Sequence, residues 1–148
     1  MRQGAHRKAK LSSPPMTEHL GERKGRGMFI RDLEDCEEFT AGDRSQLREL
    51  LHPDKADVAL RYSLAHAVTA PGQVTGRHRL KSSEVYYVLE GEGLMHIDDE
   101  SEPVSAGHVV YIPPGSTQYI ENTGEGELRF LCIVDPAWRL EDEHVLQA

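Results

Sequence analysis

The sequence has no apolar run long enough to cross a lipid bilayer, and no apolar signal core follows its N-terminal charges. Its two cysteines, Cys36 and Cys132, are too few for a disulfide framework and form no thiolate motif. Apolar residues make up only 38%, while glycine and proline are frequent, which favours a loop-rich β protein over a helical bundle. We therefore expect a soluble, cytoplasmic protein with reduced thiols.

Positive charge is scarce except at the N-terminus. The net charge is −8, but residues 1–27 carry seven Lys or Arg against two Glu, so the rest of the chain holds −13. An acidic body lacks the basic face that phosphate contacts need, which argues against a nucleic-acid partner. Residues 1–27 have few apolar residues to fold with, so we expect a disordered tail or a non-native extension. Met28 is then the candidate biological start.

Residues 28–57 read as an N-terminal arm that contains one short helix. In "DRSQLRELLHP", Asp43 can cap a helix, and Leu47, Leu50 and Leu51 share a helical face before Pro53 ends it. An extended conformation of this segment is the alternative. At the other end of the chain, residues 137–148 are expected to form a terminal helix or arm.

From residue 58 the apolar pattern changes to a period of two, which is typical of strands. In "ALRYSLAHAVT" the even positions from Leu60 to Val68 are larger and more apolar than the odd positions. We expect this face, which includes Tyr62 and His66, to point inward. Short β-branched and aromatic runs separated by turn residues follow through residue 136, which predicts a sandwich or a small barrel.

Two spaced patterns lie on these strands, 15 residues apart. The first is Gly72, five residues, His78-Arg79-Leu80, three residues, Glu84, six residues and Gly91. The second is Gly107, five residues, Pro113-Pro114-Gly115, two residues, Gln118, three residues and Asn122. In order and spacing they resemble the two motifs of the cupin superfamily. The chain departs from those motifs at two positions, where Leu80 and Gln118 stand in place of histidines.

The resemblance implies an all-β fold, a double-stranded β-helix or jelly-roll barrel, over residues 58–136. The chain looks like a small single-domain cupin of the mannose-6-phosphate isomerase-like type. The cupin fold hosts isomerases, lyases, dioxygenases and non-catalytic binding proteins, so it implies much less about activity than about structure.

The resemblance also implies a divalent metal site, with Fe, Mn, Ni or Zn as candidates. Strand alternation places positions 78 and 80 on one face, and a tight turn returns Glu84 to the same depth. His78 and Glu84 are retained, and Gln118 offers an amide oxygen as a weaker ligand. Leu80 cannot coordinate, so His66 is our candidate replacement. Glu84 is the candidate catalytic base.

The residues leave the function open. A metal-free pocket, in which His66, His78 and Glu84 form a buried polar network, is as compatible with the sequence as a metal centre. Leu80, Tyr62 and Tyr86 are expected to line the pocket in either case. The candidates are therefore a metal-dependent enzyme on a small polar metabolite, a metal-free small-ligand binder, and a structural protein without catalysis. A homodimer that covers exposed sheet edges is expected for all three.

Overall fold

The computed structural model describes residues 25–146 and consists almost entirely of antiparallel strands. The expectation for residues 1–27 therefore falls largely outside the described residues. The strands are β1 (Glu38–Thr40), β2 (Gln46–Leu51), β3 (Ser63–Thr69), β4 (His78–Leu80), β5 (Ser83–Glu90), β6 (Glu92–Ile97), β7 (Glu100–Ser105), β8 (Val109–Ile112), β9 (Gln118–Asn122), β10 (Leu128–Asp135) and β11 (Glu143–Val145). Two single-turn 3-10 helices span Leu33–Asp35 and Leu140–Asp142. No helix within residues 25–146 is long and apolar enough to cross a membrane.

The strands form two sheets. One has six strands in the order β1-β2-β3-β10-β5-β8, and the other has five in the order β11-β4-β9-β6-β7. Neighbours in each sheet are mostly distant in sequence, because the chain passes repeatedly from one sheet to the other. This is the jelly-roll arrangement, and it confirms the predicted all-β barrel.

The helix predicted over "DRSQLRELLHP" is wrong. Gln46–Leu51 form β2, which pairs with β3. Asp43 does not cap a helix, because its Oδ1 accepts hydrogen bonds from the backbone N–H and the hydroxyl of Ser45. Arg44 between them has a positive φ of 74°, which turns the chain into the strand. Pairing with β3 overrides a local apolar spacing that is compatible with either structure.

The inward face of β3 is the opposite of the predicted one. Ala65 pairs with Glu49 and Cys132, which face the barrel interior, whereas His66 pairs with Arg48 and Leu131 on the other side of the sheet. The prediction assumed that the larger side chains point inward. The small odd-numbered side chains of β3 face the interior, where Ala67 packs in one cluster with larger residues of β5 and β10, among them Tyr86 and Phe130.

The apolar core fills one end of the barrel. Tyr86 and Phe130 lie at its boundary, with ring centroids 4.6 Å apart. Along β5 the inward positions run from core at Val88 to cavity wall at Glu84, and along β10 they run from core at Leu128 to cavity wall at Val134. The space between the sheets is therefore packed at one end and open at the other. Ala67, Val88, Met95, Val104, Ile112, Ile120 and Leu128 complete the packed end.

Candidate functional site

The open end of the barrel contains a cavity of about 300 Å³ between the two sheets, here named the barrel cavity. Four of the seven predicted site residues belong to the wall of this cavity. His78, Leu80, Glu84 and Tyr86 all line it, as strand alternation predicted for β4 and β5. Its apolar wall includes Leu47, Phe130, Val134, Trp138 and Leu140.

Glu84 is the most perturbed group of the site. Its side chain is buried, and its Oε1 has no hydrogen-bond partner among the described residues. The pKa of Glu84 is raised to about 8, first by burial and then by the negative charges of Asp43 and Glu143, while the neighbouring polar side chains of Gln118 and Tyr86 act in the opposite direction. At neutral pH this carboxyl group is therefore largely protonated and can donate a hydrogen bond.

His78 has a defined tautomer when its ring is neutral. Nδ1 lies 2.9 Å from the carbonyl oxygen of Gly76. Since a carbonyl oxygen can only accept, Nδ1 carries the proton, and Nε2 is left as an acceptor. The strand register places His78 opposite Gln118 of β9 and Val145 of β11.

Gln118 lies on the inward face of β9 but behind the cavity wall. Its side chain is 1% exposed, and its Oε1 accepts a hydrogen bond of 3.1 Å from the hydroxyl of Tyr86. Burial raises the pKa of Tyr86 well above its usual value, so the hydroxyl stays protonated and remains a donor. Burial also raises the pKa of Cys132, which keeps the thiol that faces the cavity uncharged.

Two predicted site residues lie elsewhere. Tyr62 is 41% exposed and does not line the barrel cavity, so that prediction is wrong. His66 lines a separate groove on the outer face of the six-stranded sheet, together with Arg48 and Arg129. Burial and then the charges of Arg129 and Arg48 lower the pKa of His66. The prediction that His66 shares a cavity with His78 and Glu84 is therefore wrong.

The remaining donors do not fit the predicted metal centre. Within residues 25–146, no three His, Cys, Asp or Glu side chains group closely enough to hold a metal ion. His66 faces away, Leu80 has no donor atom, and the amide oxygen of Gln118 is already hydrogen-bonded. Of the four predicted ligands, His78 and Glu84 keep free donor atoms beside the cavity, and metal ligation by these two residues with Gln118 stays a prediction.

Acidic residues from outside the two motifs also line the cavity, and sequence reasoning missed them. Asp43 comes from the turn before β2, and Glu143 comes from β11, where its Oε2 accepts a hydrogen bond from the indole N–H of Trp138. Glu49 of β2 also lines the cavity but is paired with Lys55 at 2.8 Å. The pattern Asp43-x-Ser45 could have indicated the turn. Nothing in the local sequence places Glu143 in this wall.

Comparison with known proteins identifies the barrel. A family model described as a cupin domain matches residues 65–134. An uncharacterised protein of Methanocaldococcus jannaschii is 40% identical over 110 residues, covering 74% of this chain and 87% of that protein. The oxalate-binding protein of Thermotoga maritima is 30% identical over 118 residues, covering 76% and 97% of the two chains. The crystal structure of a predicted oxalate decarboxylase from Thermotoga maritima superposes with a TM-score of 0.64 at 26% identity, covering 74% of this chain and 99% of that one.

Proposed function

The chain belongs to the cupin superfamily, and we propose that it is a small-molecule-binding cupin whose ligand occupies the barrel cavity beside Glu84 and His78. One observation carries the proposal. Oε1 of Glu84 is buried in the cavity wall without a hydrogen-bond partner among the described residues. An unpartnered buried polar atom costs about 1–3 kcal/mol, and a ligand that bonds to it removes this cost. The cavity volume, about 300 Å³, suits a small molecule.

Hydrogen bonding, rather than a divalent metal, is the basis of this proposal. The protonated carboxyl of Glu84 offers a donor and an acceptor, and Nε2 of His78 offers an acceptor. Leu80 occupies the position at which the cupin motif has its second histidine, and there it presents an apolar contact to the ligand. The wall thus combines a few polar atoms with a large apolar surface, as ligand pockets commonly do.

The chemistry of Glu84 also favours a second candidate, which is metal-independent proton transfer on the bound ligand. A pKa of about 8 makes both protonation states of Glu84 accessible near neutral pH. General acids and bases need this property. Nε2 of His78 supplies a hydrogen-bond acceptor in the same cavity, which can orient the bound ligand. In this form the protein is an enzyme of the isomerase or lyase type.

Binding in the cavity is tested with benzyl alcohol, a compact neutral probe, by following backbone amide shifts in two-dimensional NMR spectra. We expect shifts that saturate and that concentrate on the first residues of β5 and the last residues of β10. The matched control is Ala65→Leu, which fills the cavity from β3 and should abolish the shifts while circular dichroism confirms a folded barrel. If neither benzyl alcohol nor its charged analogues shift these amides in the wild-type protein, the proposal is wrong.

The metal content of the purified protein, produced without an affinity tag, distinguishes this proposal from the metal-dependent alternative. Equimolar Fe, Mn, Ni or Zn that is lost in both His78→Ala and Glu84→Ala would favour the metal centre. Metal content below a few per cent of the protein concentration, together with saturable probe binding, would support the metal-independent cavity.

A further inference from the structure

We propose that the barrel cavity selects an organic cation, that is, a positively charged nitrogen on a compact apolar body. This inference rests on the proposed function and names the class of ligand. It arises from the charge of the cavity wall, the direction of its hydrogen-bonding groups and its aromatic surface.

The ionisable carboxyl groups that line the cavity are not matched by basic Lys or Arg side chains in its wall. Asp43, Glu49, Glu84 and Glu143 line the cavity, and no Lys or Arg of the described residues does so. Lys55 neutralises Glu49, and Glu84 is largely protonated at neutral pH, so the uncompensated charges of the wall are those of Asp43 and Glu143. Neither has an ion-pair partner within residues 25–146. A cation placed in the cavity is therefore attracted by these two carboxylates in a partly buried setting, where screening by water is weak.

The spacing of these groups suits a molecule better than a metal ion. Asp43, Glu84 and Glu143 come from three separate segments, and no three acidic, histidine or cysteine side chains of the described chain converge as metal ligands do. They nevertheless act on the same space, since both Asp43 and Glu143 disfavour the ionised form of Glu84. An organic cation can reach such separated acceptors with several N–H groups.

The free hydrogen-bonding atoms of the wall are mostly acceptors. Oε1 of Glu84 and Nε2 of His78 have no protein partner among the described residues, whereas two of the cavity hydroxyls already donate to protein acceptors. The Tyr86 hydroxyl donates to Gln118, and the Ser45 hydroxyl donates to Asp43. A ligand rich in donors, such as an ammonium or amidinium group, complements this arrangement, while a carboxylate such as oxalate does not.

Aromatic and aliphatic side chains supply the rest of the surface. Phe39, Tyr86, Phe130 and Trp138 line the cavity together with Leu80. The faces of aromatic rings attract cations, and aliphatic contacts take up an apolar body. Leu80, which stands in place of the second motif histidine, thus supplies an aliphatic contact for the apolar body of such a cation.

Three probes of nearly equal shape test the inference: benzylamine, benzyl alcohol and benzoate, compared by calorimetry at pH 7. We expect benzylamine to bind at least about tenfold more tightly than benzyl alcohol, a difference of about 1.4 kcal/mol, and benzoate to bind most weakly. Glu143→Gln should lower the affinity for benzylamine several-fold and leave that for benzyl alcohol unchanged. Glu141→Gln, which removes an exposed carboxylate two residues away that does not line the cavity, is the matched control and should change neither.

The outcomes separate the two proposals. Equal binding of benzylamine and benzyl alcohol, or a preference for benzoate, overturns the cation inference and leaves the cavity as a ligand site. An equal loss of both affinities in Glu143→Gln also overturns it, because that result indicates a change of shape rather than of charge. Failure of all three probes to bind overturns both the cation inference and the proposed function.

Discussion

Replacing Glu84 with glutamine should make the free energy of unfolding less dependent on pH, because the substitution removes a buried group whose proton affinity changes on folding. The pKa of this carboxyl is 4.5 in its ordinary state and about 8 in the folded protein. The folded state therefore binds the proton more tightly than the unfolded state does. The contribution of Glu84 to stability is fully present below pH 4.5 and is lost progressively as the pH rises towards 8.

The size of the effect follows from the same shift. Each unit of pKa difference corresponds to about 1.4 kcal/mol, so between pH 5 and pH 8 the wild-type protein should lose on the order of 3 kcal/mol through this group. Glutamine is nearly isosteric and does not titrate. The free energy of unfolding of Glu84→Gln should therefore rise relative to that of the wild type by this amount across the interval. Asp43 and Glu143 contribute to the shift from other segments, so Glu143→Gln should reduce the pH dependence by a smaller amount.

Urea denaturation at several pH values measures the effect, and the single tryptophan, Trp138, reports unfolding because it lies in the cavity wall. Glu141→Gln serves as the control for removal of an exposed carboxylate. If the wild-type and Glu84→Gln stability curves run parallel from pH 5 to pH 8, then Glu84 is not the buried, protonated group described above, and the reasoning on the cavity is refuted.

Further substitutions test the missing motif histidine, the placement of His66 and the oligomeric state. Leu80→His should create affinity for Ni²⁺ or Zn²⁺ in the barrel cavity, measured by calorimetry, since position 80 lines it beside His78; no gain in affinity would mean that the cavity geometry is wrong. His66→Ala should leave probe binding in the barrel cavity unchanged, because His66 lines the outer groove, and weakened binding would contradict this placement. Homodimer formation stays a prediction, and its basis is Tyr111, which is 61% exposed on β8, an edge strand of the six-stranded sheet. Light scattering should show twice the chain mass of 16.6 kDa for the wild type and the mass of a monomer for Tyr111→Lys. A monomeric wild type would refute the prediction.

Much of the barrel could be predicted because its pattern is local. The motif spacing requires strands separated by tight turns, and alternation along β4 and β5 then brings His78, Leu80 and Glu84 to one interior. These residues are few positions apart, so the local backbone geometry of β4, the turn and β5 is enough to relate them, although the two strands belong to different sheets. The same alternation could not decide which face of β3 points inward, because that choice depends on the volume already filled from β5 and β10.

The amino-acid sequence by itself indicated the all-β fold, because strand periodicity and turn residues act over short distances, and the resemblance to the cupin motifs indicated the cavity positions of His78, Leu80 and Glu84 in the first motif. Only the tertiary structure decided that Gln46–Leu51 form a strand, that His66 faces the outer groove, and that Asp43 and Glu143 join the cavity wall. Each of these depends on pairing or packing between segments far apart in the chain. The physical reason is that each of these segments is held in place by another segment far away in the chain, and no local sequence pattern identifies that other segment.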